Sequence, residues 1–233
     1  MLNSMKTCEN CRREFKPHRN SNRYCSYRCS GLARSRAFDP QLKEEYFKDI
    51  DTPEKAYWLG FILADGNICR SDEYSLKFTL CLARRDESHL EEFMRVIGAS
   101  KKSYRTSGKS KQVALIISNK VFCEHLVAAG CIPRKSKVLR FPTIKDRRLQ
   151  LAILLGMFDG DGSLCGPRRD CPLLSSGSRA LMEDIKALFQ LDYKIQRDRI
   201  TLGKPLLKAM TEAYRGGLLR KRLPGTLEPK AGE

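Results

Sequence analysis

The sequence has no hydrophobic segment long enough to cross a membrane. Its longest apolar run, Leu151 to Phe158, is far shorter than the roughly 20 residues that a spanning helix needs, and it contains a glycine. The N-terminus also lacks the hydrophobic core of a signal peptide. We therefore expect no membrane partner and a protein that is not secreted, either cytoplasmic (bacterial or phage-encoded) or organellar.

Acidic residues are also scarce. The chain has 27 Asp and Glu against 44 Lys and Arg, a formal net charge of +17 with histidine neutral. A surplus of this size, spread along most of the chain, favours a polyanionic partner, most simply nucleic acid. Charge alone does not separate a nucleic-acid enzyme from a ribosome-associated protein or from a merely soluble one. The 233 residues suffice for one large domain and a small module.

Ten cysteines without a secretory signal indicate a reducing compartment, with free thiols or metal ligands. Four of them follow the pattern Cys-x2-Cys, thirteen residues, Cys-x3-Cys, which suits tetrahedral Zn²⁺. These four are Cys8, Cys11, Cys25 and Cys29. Residues 1–36 contain too few large apolar side chains to fold unaided, so Zn²⁺ would supply the folding energy. The alternative is a set of incidental thiols in a disordered basic arm.

The predicted zinc module has two further features. His18 could replace one cysteine, but it follows Pro17 in mid-loop and is expected to be exposed. The segment resembles treble-clef-type zinc modules, in which a helix starts at the second cysteine pair. Its basic side chains outnumber Glu9 and Glu14, so the module could add a DNA contact. The basic residues are Lys6, Arg12, Arg13, Lys16, Arg19, Arg23, Arg28, Arg34 and Arg36.

Two nine-residue segments repeat one pattern, WLGFILADG at 58–66 and LLGMFDGDG at 154–162. In each, small residues lie four apart on an apolar helical run that ends in an acid and a glycine. Such spacing lets two helix backbones approach closely. Each helix would then bring one carboxylate, Asp65 or Asp161, to the same end of the seam. Two acids there can hold a divalent cation.

Helix and strand signals follow each repeat in matching order. Thr52 and Pro53 predict the start of the first motif helix, and Asp146 predicts the start of the second. A strand, a helix, a hairpin and a last helix are expected after each motif. A short amphipathic helix is predicted to join the zinc module to the rest. The expected divisions are the zinc module 1–36, the linker helix 37–50, the halves 51–142 and 143–227, and the tail 228–233.

Over about residues 51–227 the chain resembles the LAGLIDADG homing endonucleases of the single-chain, two-motif type. The resemblance implies an α+β fold of two pseudo-symmetric αββαββα halves, which form a saddle over double-stranded DNA. It implies a monomeric, Mg²⁺-dependent hydrolase that breaks both strands of a long asymmetric target, with Asp65 and Asp161 as the metal-binding acids. Asp159, at the sixth position of the second motif, is expected to cap or support the structure rather than to catalyse. The first motif has Leu63 at this position.

The resemblance also implies basic residues near the scissile phosphates. Lys135 and Lys221 come from matching closing stretches and would stabilise the developing phosphorane charge or orient water. The alternative for each is an exposed lysine at a helix exit. The polar faces of the strands would recognise the DNA sequence, because basic side chains there can contact base edges or phosphates. The candidates are Lys77, Thr79, Arg105, Lys111, Arg197 and Arg199.

Three alternatives to DNA cleavage remain. Some members of this family act as RNA maturases that assist splicing of their intron, and a basic saddle would suit intron RNA as well. A non-cleaving DNA-binding regulator would use the acids only as helix caps. A structural ribosome-type protein would explain the charge and the zinc module, but not the duplicated acid-tipped helices. Intact Asp65 and Asp161 favour cleavage.

Overall fold

The computed structural model describes residues 4–19, 22–70, 76–106, 111–166, 170–218 and 221. Parts of three predicted features lie outside these ranges: the start of the strand expected from Tyr74, the hairpin turn at Ser107-Gly108, and most of the closing stretch Leu219 to Arg222. The expected tail 228–233 also lies outside them. Within the described ranges, every helix is too short or too polar to span a bilayer.

The N-terminal module is a small hairpin followed by a helix. Strands β1 (Lys6–Thr7) and β2 (Glu14–Phe15) pair antiparallel, and helix α1 spans Tyr27–Phe38. Ser26 caps α1 by accepting a hydrogen bond from the amide of Cys29. The helix therefore starts at the second cysteine pair, as the likeness to treble-clef modules predicts.

The predicted linker helix is wrong. Residues 39–50 form a series of short turns, in which amides bond to carbonyls two or three residues earlier, and other groups of the segment bond to the first half. Asp39 is buried and accepts hydrogen bonds from the amide and hydroxyl groups of a neighbouring loop. The amide of Lys43 donates to the carbonyl of Ile97, and Phe47 is buried in the core. The apolar side chains that made the segment look amphipathic thus fill a core without helical periodicity.

The first half has the predicted order αββαββα. In chain order its elements are α2 (Pro53–Asp65), β3 (Gly66–Arg70), β4 (Leu76–Ala83), α3 (Glu87–Ile97), β5 (Tyr104–Thr106), β6 (Gln112–Ile117) and α4 (Lys120–Ala128). The strands form one antiparallel sheet in the order β3-β4-β6-β5.

This first sheet has an inner and an outward face. Phe78 of β4 is buried and contacts Phe93 of α3 and Phe122 of α4, so both helices cover the inner face. Alternate residues point away from these helices, since side chains in a strand alternate between faces. We call that side the outward face of the first sheet. Lys77 and Thr79 lie on it, as the alternating pattern of β4 predicts.

The second half repeats this plan with a smaller sheet. Its elements are α5 (Arg147–Asp161), β7 (Gly162–Cys165), β8 (Cys171–Ser175), α6 (Arg179–Leu188), β9 (Arg199–Thr201) and α7 (Lys204–Ala213). The described strands pair in the order β7-β8-β9. Between α6 and β9, where the pattern of the first half predicts another strand, an isolated bridge joins Gln196 to Arg199 in a tight turn. The predicted α+β fold with two matching halves is confirmed, with this turn in place of that strand.

Candidate active site at the helix seam

Helices α2 and α5 pack backbone against backbone. A Cβ added at Gly60 would lie 2.0 Å from the carbonyl oxygen of Ile153, and one at Gly156 would lie 2.0 Å from that of Tyr57. Real Cβ atoms do not approach backbone so closely, so only glycine fits at these two positions. The close crossing predicted from the small residues is therefore present.

Both helices are defined by their own capping groups. The Thr52 hydroxyl accepts a hydrogen bond from an amide in the first turn of α2, and the Asp146 carboxylate does the same for α5. At the other end, the amides of Gly66 and Gly162 close the last turns. Each helix thus ends at its acid, and a strand leaves directly from that point, β3 from α2 and β7 from α5.

The two acids meet at one end of the seam. A Cβ added at Gly160 would lie 2.4 Å from the Cβ of Ala64 and 3.2 Å from the Oδ2 of Asp65. The Asp65 carboxylate thus lies against the last turn of α5, beside the residue that precedes Asp161. The structure thus places Asp65 next to the last turn of the helix that ends at Asp161.

The pair is electrostatically unfavourable without a cation. Desolvation by surrounding protein raises the pKa of Asp65 to about 6, and the charge of Asp161 contributes to the rise, whereas Lys221 and Lys135 oppose the shift. Desolvation likewise raises the pKa of Asp161 against the influence of the two lysines. Both carboxylates still reach solvent on their open side. Two crowded acids that remain accessible are suited to binding a cation.

Lys135 and Lys221 lie beside these acids and are buried rather than exposed, each at 8% exposure. Lys135 Nζ donates to the carbonyl oxygen of Gly66 at 2.5 Å. Lys221 Nζ donates to the carbonyl oxygens of Asp159 at 2.5 Å and Gly160 at 2.8 Å. Lys135 therefore binds the residue that directly follows α2, and Lys221 binds the last turn of α5. The charges of both lysines act on the two acids and oppose the rise of their pKa. The alternative of two exposed lysines is wrong.

Asp159 is a buried support, in agreement with its expected role. Its Oδ2 accepts hydrogen bonds from the Tyr57 hydroxyl at 2.8 Å and from the Leu218 amide at 2.9 Å. The Tyr57 hydroxyl also lies 2.8 Å from Nε2 of His89. One carboxylate thus joins the first half, the second motif and the segment that leads to Lys221. Sequence reasoning did not identify the tyrosine and histidine, because neither belongs to a recognisable motif.

The DNA-reading candidates fall into two groups. Thr79 pairs with Ile116, and Arg105 pairs with Ala114, so these residues share the outward face of the first sheet with Lys77. Lys111 is exposed just before β6. In the second half, Arg199 is exposed on β9, while Arg197 lies in the preceding turn with φ of 49°. The structure thus brings three of the six together on one face.

The four N-terminal cysteines form one cluster whose sulfur atoms all lie within 4.8 Å of one another. Cys25 Sγ lies 3.6 Å from the Sγ atoms of both Cys11 and Cys29. Sulfurs bound tetrahedrally to Zn²⁺ at about 2.3 Å would be separated by about 3.8 Å, so the cluster fits this ion. Burial opposes ionisation of Cys8, but backbone amide donors outweigh it and lower its pKa to about 6. His18 is exposed, as expected, and takes no part in the cluster.

Comparison with known proteins gives structural similarities only. No protein-family description and no curated protein sequence matches the chain. The LAGLIDADG meganuclease I-AabMI, solved with uncleaved DNA, aligns with 70% of this chain and 84% of its own, at 13% identity and a TM-score of 0.45. The homing endonuclease I-WcaI, bound to its DNA recognition sequence, aligns with 73% of this chain and 85% of its own, at 15% identity and a TM-score of 0.45. The LAGLIDADG homing endonuclease I-GzeII, in complex with a DNA target, aligns with 70% of this chain and 84% of its own, at 13% identity and a TM-score of 0.45.

Proposed function

We propose that this chain is a LAGLIDADG-type homing endonuclease that makes metal-dependent double-strand breaks in a long asymmetric DNA target. One observation carries the proposal. Two matching helices end at the same place, and each brings an aspartate with a buried lysine beside it. A strand of each sheet starts directly from this point, β3 after Asp65 and β7 after Asp161.

Asp65 and Asp161 would hold Mg²⁺, a cation that binds one or two carboxylates together with waters and substrate phosphate oxygens. When bound, Mg²⁺ activates water and stabilises the leaving oxygen of the phosphodiester. The chain's own part is electrostatic. Lys135 and Lys221 offset the charge of the acids and attract the phosphodiester towards the seam. Their bonds to backbone carbonyls fix both ammonium groups before DNA binds, so no reorganisation is needed.

The outward faces of the two sheets would bind the DNA on either side of the seam. Lys77, Thr79 and Arg105 would contact bases or phosphates from the first sheet, and Arg199 would do so from the second. The two halves differ in sequence and in strand number, so the target should be asymmetric, and one chain suffices. The four-cysteine cluster would hold a structural Zn²⁺ ion.

The test is a Mg²⁺-dependent cleavage selection on a randomised DNA library, followed by assays of Asp161→Asn on the selected target. We expect this variant to lose cutting by at least about a hundredfold and to keep DNA binding, because only the metal site changes. Glu183→Gln, which neutralises an exposed carboxylate on α6, is the matched control and should cut normally. Cutting that survives in Asp161→Asn would show that the active site lies elsewhere.

The same selection separates cleavage from the alternatives. An RNA maturase or a non-cleaving regulator would bind nucleic acid without Mg²⁺-dependent cutting of any library member. Tight binding of intron RNA by the wild-type chain, with no DNA cut, would favour the maturase.

A further inference from the structure

Helix α1 of the zinc module lies beside the outward face of the first sheet. Arg105 and Ile116 lie on this face, and together with Arg34 and Phe38 of α1 they line a groove of about 480 Å³. In the strand order β3-β4-β6-β5, β3 starts at the acid site and β5 forms the far edge. Helix α1 therefore lies next to β6 and β5, the strands of this sheet that are farthest from the acid site.

The position of α1 is fixed by contacts with the first half. The Ser35 hydroxyl donates to the carbonyl of Ser118 at 3.3 Å, directly after β6. Arg36 forms an ion pair with Glu44, which also accepts a hydrogen bond from the Asn119 side chain at 3.0 Å. Ser118 and Asn119 belong to the first half, and Glu44 belongs to the segment that packs on it. Helix α1 is therefore attached to this surface.

A second group of contacts holds the two ends of α1. Near its start, Arg28 lies 3.6 Å from the carboxylate of Glu124 in α4. Just after its end, buried Asp39 accepts hydrogen bonds from the Ser100 amide at 3.0 Å and the Ser103 hydroxyl at 3.1 Å. Both ends of the helix are therefore attached to the first half.

The charge of the groove indicates its partner. Arg34 is exposed, and among the residues that the structure describes no carboxylate lies within ion-pair distance of it. Arg23, Arg28 and Arg36 of the same module have such partners. Arg34 and Arg105 both line this groove. Asp39 lines it as well, but its carboxylate is buried and already accepts hydrogen bonds from the protein. Two guanidinium groups along one groove suit the phosphates of a nucleic-acid backbone.

We propose that α1 binds the phosphate backbone of duplex DNA that flanks the target beyond the first sheet, with Arg34 as its main contact. This inference rests on the proposed function, because it continues the DNA surface of that sheet. In the described part of the second half, no such module lies beyond β9. The bound duplex should therefore extend farther from the cut site on the side of the first half.

The experiment measures affinity for the selected target in duplexes shortened from one end or the other. For the wild-type chain with its zinc, we expect shortening of one flank to weaken binding about tenfold, and shortening of the other to have no effect. Arg34→Ala should bind the full-length duplex about as weakly as the wild-type chain binds the shortened one. The affinity of this variant should be the same with and without the sensitive flank. The slope of its log affinity against log salt concentration should be smaller by about 1, as for the loss of one phosphate contact.

Arg95→Ala is the matched control, since Arg95 is exposed on α3, which covers the inner face of the first sheet. It should respond to both flanks like the wild-type chain. Zinc content and circular dichroism would show that Arg34→Ala keeps its fold. Equal loss on shortening either flank, or a flank effect unchanged in Arg34→Ala, would overturn the inference. Absence of any specific DNA binding by the wild-type chain would instead count against the proposed function.

Discussion

Asp65 is one of the side chains through which pH should act on this protein. Its pKa of about 6 lies above the roughly 3.9 of an unfolded aspartate. Between these two values the native carboxyl keeps a proton that the unfolded state has lost, so the contribution of Asp65 to the stability of the metal-free protein should fall as pH rises from about 4 to 6. Urea unfolding at several pH values would measure this fall, which Asp65→Asn should reduce.

Magnesium provides the complementary measurement. At about pH 7, Mg²⁺ should stabilise the wild-type chain, because the ion offsets the repulsion between Asp65 and Asp161. Asp65→Asn should gain less from the ion. An identical pH profile in the variant, together with an identical response to Mg²⁺, would contradict this account of the acid pair.

Asp159 should tolerate an amide but not an aliphatic side chain. The hydrogen bonds that it accepts from the Tyr57 hydroxyl and the Leu218 amide converge on one oxygen, so the oxygen of Asp159→Asn can accept both. Asp159→Leu, which copies Leu63 of the first motif, would leave the buried Tyr57 hydroxyl and Leu218 amide short of an acceptor. Each such loss costs about 1–3 kcal/mol.

The loss should also be uneven between the DNA strands. Because Asp159 holds the segment leading to Lys221, Asp159→Leu should slow the cutting of one strand more than the other and accumulate nicked DNA. Quantifying nicked and linear plasmid products would detect this. Asp159→Asn is the conservative control, and equal slowing of both strands by the leucine variant would assign Asp159 a purely structural role.

At the level of elements, the crossing of α2 and α5 depends on glycine. Gly60→Ala would place a methyl group 2.0 Å from a backbone oxygen, and the helices would have to separate. Overpacking of this kind destabilises by about 1–3 kcal/mol, and here the move would also shift the acids. We expect a lower melting temperature and slower cutting.

Gly31→Ala is the control for this substitution. It lies in the interior of α1, and a Cβ there would meet nothing within 4 Å. Alanine should be neutral or stabilise by up to about 1 kcal/mol through helix propensity. A Gly60→Ala protein as stable as Gly31→Ala would refute the close crossing.

At the scale of the whole molecule, the zinc module should depend on its metal while the two halves do not. Their core contains the seam helices and the inner faces of both sheets, whereas no described residue of the module belongs to this core. The module is held by its four-cysteine cluster and its anchors on the first half. Removal of zinc by a chelator should therefore abolish hydrogen-exchange protection in residues 27–38 and leave α2 and α5 protected.

Two cysteine variants give the matched comparison for zinc. Cys25→Ser should lose the single bound ion, whereas Cys165→Ser, at a half-buried position on β7, should retain it. Metal analysis of the full chain measures both. Protection of α1 that persists after complete removal of zinc would show that the anchors on the first half suffice.

The local features of the fold could be predicted from the sequence. Thr52, Asp146 and the glycines after each acid defined both motif helices, because capping depends on neighbours within one turn. The alternation in β4 predicted its two faces, and the cysteine spacing predicted the cluster. The segment 39–50 was mispredicted, since its apolar side chains are buried by contacts that no local pattern encodes.

The sequence by itself thus determined that two acid-tipped helices and one cluster of four cysteines would form, because these features depend largely on residues close together in the chain. Only the tertiary structure decided what surrounds them. Lys135 binds a carbonyl 69 residues away, and Tyr57 binds Asp159 across 102 residues. Such contacts, like the position of α1 beside the first sheet, follow from how whole elements pack, since burial leaves each polar group to find whichever partner the packing brings close.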